Sequence, residues 1–222
     1  MDLLELARGP LFTGALLFFI GGMVYRLVTV IGMGWGRNRV PSKKNPTVGA
    51  GISLLKGWLI LPFWPRVRGT FARNPVIYIA GFVFHLGLFL IIFFGAAHML
   101  VWKDLLGFGW PTIPLPYIDG LTVAVILALI ALFFNRLVHP VVRKLTGPGS
   151  WLNLLFVALP FITAFMLAHG IGPRYESMFA VHVLTVDWLL VWIPLSRISH
   201  FVFYFFSRTN YGAQYARRGA TS

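Results

Sequence analysis

The chain has 222 residues, 58% of them apolar and only 11% charged, whereas soluble domains run to about a quarter charged. That balance excludes an ordinary water-soluble domain and points to the bilayer as solvent. The lack of cysteine excludes disulfides and any cysteine-held zinc or iron–sulfur centre within the chain. A net charge of +13 could suit nucleic acid, but its placement along the elements argues for membrane topology and no nucleic-acid partner.

The opening MDLLELARGPLF is acidic and lacks a basic n-region, so no cleavable signal peptide is expected. A first span is predicted over 11–31, and a link with eight Lys or Arg from Arg37 to Arg73 and no acid follows it. Within that link ISLLKGWLILPFW, residues 52–64, is too short to cross and is flanked by bases, which predicts an interfacial segment. The second span is predicted over 75–101, opened by Pro75, where a missing N–H costs little. GWPTIPLPYIDG then reads as a rigid loop before a third span over 119–138, which leads to Arg143 and Lys144. Spans four (151–171) and five (177–206) contain Pro160 and Pro194, which free backbone carbonyls that neighbouring helices must satisfy. The tail carries Arg208, Arg217 and Arg218.

These elements predict an all-α fold, a polytopic membrane bundle of five transmembrane helices forming a single domain over 1–222. The excess of Lys and Arg in the 34–73 link, after span three and in the tail places the N-terminus outside and the C-terminus in the cytoplasm. The basic loops read first as topology signals and contacts to anionic membrane lipid, and second as a docking face for a soluble partner. Trp35, Trp58, Trp64, Trp102 and Trp110 sit near the expected interfaces, as an aromatic belt does.

Histidines carry the chemistry. AVHVLTVDWLLVWIPLSRISHF holds His182 and His200, eighteen residues apart. On one helix that is about five turns at roughly 3.6 residues each, so both rings leave on the same side, about 27 Å apart. His85 lies in the inner half of span two and His98 at its outer end. Two antiparallel helices then offer facing pairs, His85 with His200 and His98 with His182. A six-coordinate haem iron takes two axial nitrogens from facing helices and, with no open position, carries electrons.

Near the inner pair, Gly87 reads as room for a flat macrocycle, and Arg26 and Arg197 could hold a haem propionate or snorkel to lipid phosphates. In the outer pair, thirteen residues separate His98 from His85, which turns the second ring by about 220° on an ideal helix. Tilt or unwinding has to absorb that rotation, and His169, at similar depth, is a rival ligand. His139, ahead of Pro140, reads as solvated. Asp187, deep in span five, reads as a proton relay or as a neutral hydrogen bond to another helix.

HVLTVDWLLVWIPLSRISHF resembles the last helix of the gamma subunit of respiratory nitrate reductase, a five-helix membrane cytochrome b. It shares a His, the eighteen-residue interval, and the ending Pro194, Ser196, Arg197 and His200. FHLG at 84–87 is similar to the family's first haem-ligand motif, and FFIGGMVYR at 18–26 to its first helix. The resemblance implies haem b, with His85 and His200 as metal ligands of the inner haem and His182 as one ligand of the outer. The family's second histidine of span two comes ten residues after the first, where this chain has Gly95, so His98 stands as a substitute.

The resemblance also implies quinol oxidation at the outer face of a prokaryotic cytoplasmic membrane. Electrons would pass to a cytoplasmic iron–sulfur subunit and a catalytic subunit. Outward proton release would need a titratable group, for which His98, Lys103, Asp119, His169 and Asp187 are candidates. The link between spans one and two is longer than in the nitrate reductase chain, and related cytochrome b subunits serve other redox complexes, so the terminal substrate stays open. The alternatives are a proton- or ion-conducting protein and a haem-free structural anchor.

Overall fold

A computed structural model describes residues 2–32, 41–57 and 69–220. In chain order its helices are α1 (Leu3–Gly32), α2 (Pro46–Leu55), α3 (Gly69–Arg73), α4 (Pro75–Phe94), α5 (Ala96–Leu106), α6 (Leu115–Val138), α7 (Pro140–Leu145), α8 (Pro148–Ala168), α9 (Tyr175–Leu195) and α10 (His200–Arg218). Among the described residues there is no strand, and α1, α4, α6, α8 and α9 are each long and apolar enough to cross a membrane. The chain is thus built as a multi-pass helical membrane protein, as hydropathy predicts. Trp35, Trp58, Trp64, Arg37, Arg39, Arg66, Arg68 and the second half of the expected interfacial segment lie outside the described residues.

Local capping explains where the helices start. α1 begins well before the expected residue 11, because Asp2 and Glu5 close a capping box: the Glu5 N–H donates to Asp2 at 2.8 Å and the Asp2 N–H to Glu5 at 3.2 Å. Pro10 does not stop it, since Ala7–Leu11 form a π-helical turn that absorbs the missing donor. α4 starts at Pro75 behind Asn74, whose side chain accepts from the Ile77 N–H at 3.1 Å.

Two expected spans are interrupted. α4 stops at Phe94 and the chain turns extended at Gly95 (φ −71°, ψ 132°) before α5 begins. α9 stops at Leu195, Ser196 is extended (φ −123°, ψ 178°), and a single 3₁₀ turn at Arg197–Ser199 leads into α10. The Ser196 hydroxyl accepts from the Ile198 N–H at 3.2 Å and so caps the new turn. His182 and His200 therefore do not share one five-turn helix, which corrects the alignment expected from their spacing.

The chain divides into two compact units, Met1–Ala15 with Thr70–Leu189, and Leu16–Gly69 with Leu190–Ser222. The core of the first unit is Ile91, Val125, Leu129, Leu154 and Phe161, contributed by α4, α6 and α8. Gly87 belongs to this packing: a Cβ there would collide with Val125 of α6. Its smallness serves the close approach of two helices, as small residues do in membranes, and this corrects its reading as room for a macrocycle. In the second unit α1 meets the end of α9 where Gly22 faces Pro194; a Cβ at Gly22 would lie 2.7 Å from the Pro194 Cβ. In the same unit α2 packs on α10 through Gly49, Ser53, Gly212 and Ala216.

Candidate functional site

The last carbonyls of a helix have no partner within it, and inside a membrane water is not there to help. The end of α4 solves this with groups from further along the chain. The Gly95 N–H and the His98 Nδ1–H both donate to the Ile91 carbonyl, at 3.0 Å each. The Trp102 Nε1–H donates to Ile92 at 2.9 Å, the Trp110 Nε1–H to Phe93 at 2.8 Å, and the Ile113 N–H to Phe94 at 2.9 Å. Trp102 and Trp110, expected only as an interfacial belt, are thus helix caps, and Phe93 stacks on Trp102 with centroids 5.2 Å apart.

This cap orients His98. A carbonyl only accepts, so Nδ1 carries the proton and Nε2 keeps the lone pair, the form in which imidazole binds a metal ion. Because the helix breaks at Gly95, the rotation of about 220° that a continuous helix imposes between His85 and His98 does not apply. Gly95 itself has little space: a Cβ there would lie 2.6 Å from the Ile91 oxygen and 3.2 Å from the His98 Nδ1. A histidine at Gly95, the position of the resembled family's second ligand, would not fit this turn.

His182, on α9, is half-buried and set by α8. Thr163, 6% exposed, places its hydroxyl 2.8 Å from the Leu159 carbonyl, 3.1 Å from the Pro160 carbonyl and 3.1 Å from the His182 Nδ1. Thr185 stands 3.2 Å from the same hydroxyl and also reaches the His182 carbonyl at 2.7 Å. His182, like His98, thus turns Nδ1 to a protein partner. The two imidazoles both lie in the first unit. Among the described residues no three His, Cys, Asp or Glu side chains gather as a metal cluster.

The other candidates of this unit fall elsewhere. His169 caps α8, with Nδ1 donating to Phe165 at 3.0 Å, its ring stacked on Phe165 and its Nε2 3.5 Å from Asp119 of α6. The contact with Asp119 is an ion pair only when the ring is protonated. Lys103 is exposed on α5. Asp187 is 7% exposed on α9, and neither carboxyl oxygen has a hydrogen-bond partner among the described residues. Ala180, which has no exposed surface, lies seven residues earlier on the same helix face. His85 is exposed on α4 with Nδ1 donating to the Gly81 carbonyl at 2.6 Å. His139 is not simply solvated: it caps α7, accepting from the Val142 N–H, and meets the Arg73 carbonyl at 3.4 Å.

The second unit holds Arg26, Arg197 and His200. One Arg26 nitrogen donates to the Ser196 carbonyl at 3.1 Å and to the Ser199 hydroxyl, and the guanidinium lies 5.8 Å from the Phe203 ring centroid. Ser199, 1% exposed, donates in turn to the Ser196 carbonyl at 2.8 Å. Arg26 therefore ties α1 to the turn after α9, a role that neither propionate binding nor snorkelling anticipates. Arg197 is exposed, and His200 opens α10 with Nδ1 donating to the Arg197 carbonyl at 3.1 Å. The sequence signal for Thr163 is an isolated hydroxyl in an apolar run, which is common in membrane helices, whereas Ser199 stands in the polar stretch SRISH at 196–200.

A protein of Nitratidesulfovibrio vulgaris (strain Hildenborough) is 34% identical to this chain over 221 residues, covering 96% of this chain and 94% of that one. No family model matches the chain. No solved structure matches it.

Proposed function

We propose a role for the family to which this chain and the Nitratidesulfovibrio vulgaris protein belong: a haem b membrane subunit passing electrons between the quinone pool and a cytoplasmic iron–sulfur partner, in the manner of the nitrate reductase gamma chain. The observation that carries it is the pair His98 and His182, each with Nδ1 tied to protein and Nε2 left as the ligating nitrogen. A bound haem supplies one-electron redox chemistry. The chain's residues do the rest: the end of α4 orients His98, and Thr163 of α8 orients His182.

His98 is the favoured partner of His182 over His169, because the His169 Nε2 faces the Asp119 carboxylate at 3.5 Å. The inner pair, His85 with His200, rests on the sequence alone, since the two fall in different units. In this reading the N-terminus is outside and the C-terminus cytoplasmic, and quinol is oxidised near the outer end of α8. The half-exposed Asp119–His169 pair and Lys103 are there to take up or release protons.

A pyridine haemochrome count with reduced-minus-oxidised spectra of the purified protein tests the proposal. Two haems per chain, with a bis-histidine spectrum, are expected; zero haem refutes it, and one haem refutes one of the two pairs. One observation favours a second reading, a proton-conducting protein: Asp187, buried in a span without a hydrogen-bond partner among the described residues. That reading expects no Soret band, and Asp187-dependent proton flux in sealed vesicles.

A further inference from the structure

Between residues 41 and 57 and again between 200 and 220 the chain carries Lys43, Lys44, Lys56, Arg208, Arg217 and Arg218, with no acid in either stretch. The second unit joins these stretches into one body. The Lys43 and Lys44 N–H groups each donate at 3.1 Å, to the carbonyls of Arg217 and Ala216, and Arg217 donates to the Ser42 hydroxyl at 3.2 Å. Between the helices the seam is as close as backbone allows, since a Cβ on Gly49 or Gly212 would run into the opposite helix.

Each helix keeps one face out of that seam. On α2, Val48, Ile52 and Leu55 are 56%, 43% and 60% exposed at i, i+4 and i+7, a single apolar stripe about a third of a turn from Gly49 and Ser53. On α10 the side away from the seam is polar, with Ser207, Asn210, Tyr211, Gln214, Tyr215 and Arg218 lining a shallow groove of about 380 Å³. Ten residues make α2 about 15 Å long, half of what crossing a bilayer takes. α10, for its part, begins only five residues after α9 ends at Leu195, so the body is tethered to the end of a span.

We infer that α2 and α10 form a platform at the bilayer surface. The Val48–Ile52–Leu55 stripe sits among acyl chains, Lys43, Lys44 and Lys56 with Arg208 and Arg217 of α10 hold anionic lipid headgroups, and the groove of α10, with Arg218, faces water. A short amphipathic helix with a basic border and no acid is the chemistry that anionic lipid selects. The small-residue seam explains why α10 does not lie on the membrane by itself: it rests on α2. None of this depends on haem.

The absence of cysteine makes single-cysteine spin labelling direct. Labels at Val48, Ile52 and Leu55, and at Asn210 and Gln214, are placed in nanodiscs containing phosphatidylglycerol, and relaxation by oxygen is compared with relaxation by a water-soluble nickel chelate. The stripe positions are expected to respond to oxygen and the α10 positions to nickel. Retention of phosphatidylglycerol by the detergent-solubilised protein, read by native mass spectrometry, is expected to fall roughly tenfold or more in K43Q/K44Q/K56Q and to survive in K43R/K44R/K56R. Nickel access at the stripe, shielding of the stripe from both reagents, or unchanged lipid retention in the glutamine variant each overturns the assignment.

Discussion

Replacing Gly95 by alanine tests the turn on which the His98 geometry depends. The new Cβ lies 2.6 Å from the Ile91 carbonyl oxygen, about 0.7 Å inside the roughly 3.3 Å of a close C···O contact. It also lies 3.2 Å from the His98 Nδ1 that donates to that same oxygen. Overpacking of this kind costs about 1–3 kcal/mol, and loss of the His98 bond adds about 0.5–1.5 kcal/mol. The sum, about 2–4 kcal/mol, corresponds to a fall in apparent melting temperature of about 5–15 °C for a chain of this size. The assay is intrinsic-fluorescence melting in nanodiscs at one scan rate, to which Trp102 and Trp110 of the cap contribute among the chain's eight tryptophans. Gly120→Ala is the control, because nothing lies within 4 Å of a Cβ there; it is expected to be neutral or to gain up to about 1 kcal/mol of helix propensity. A Gly95→Ala protein that melts with the wild type refutes the packing account of the turn.

The close approach at Gly87 makes Gly87→Ala destabilising by about 1–3 kcal/mol, and Val125→Ala in the same chain is expected to restore much of that; additive losses in the double-mutant cycle argue against the contact. His98→Ala is expected to remove one haem spectral component that His169→Ala leaves in place, and the reverse outcome would exchange the two ligands. Arg26→Gln loses a charged donor to Ser196 and Ser199, at a cost of about 1–3 kcal/mol by the same melting assay, while Arg26→Lys restores only part of it because one ammonium does not reproduce the guanidinium fork.

Hydropathy and charge are sums over a window of neighbours, so they are complete in the sequence. They determined five apolar helices long enough to cross a membrane and the concentration of Lys and Arg in two links and the tail, whereas α2 (Pro46–Leu55) overlaps the expected 52–64 segment only at 52–55. Where those helices break was decided only by the tertiary structure. α4 can stop at Phe94 because Trp102, Trp110 and Ile113 return to satisfy its carbonyls. The turn after α9 is held by Arg26, 170 residues away from Ser196 along the chain.

A continuous apolar run gives no hint of such partners, because it reads the same whether or not a distant donor caps it. The two breaks also reorder the histidines. His200 leaves the helix of His182, and His98 leaves the helix of His85 for a turn that aims it afresh. The residue types able to bind a metal ion were legible from composition and depth; which nitrogen each presents, and that Asp119 engages His169, depended on hydrogen bonds between residues far apart in the chain.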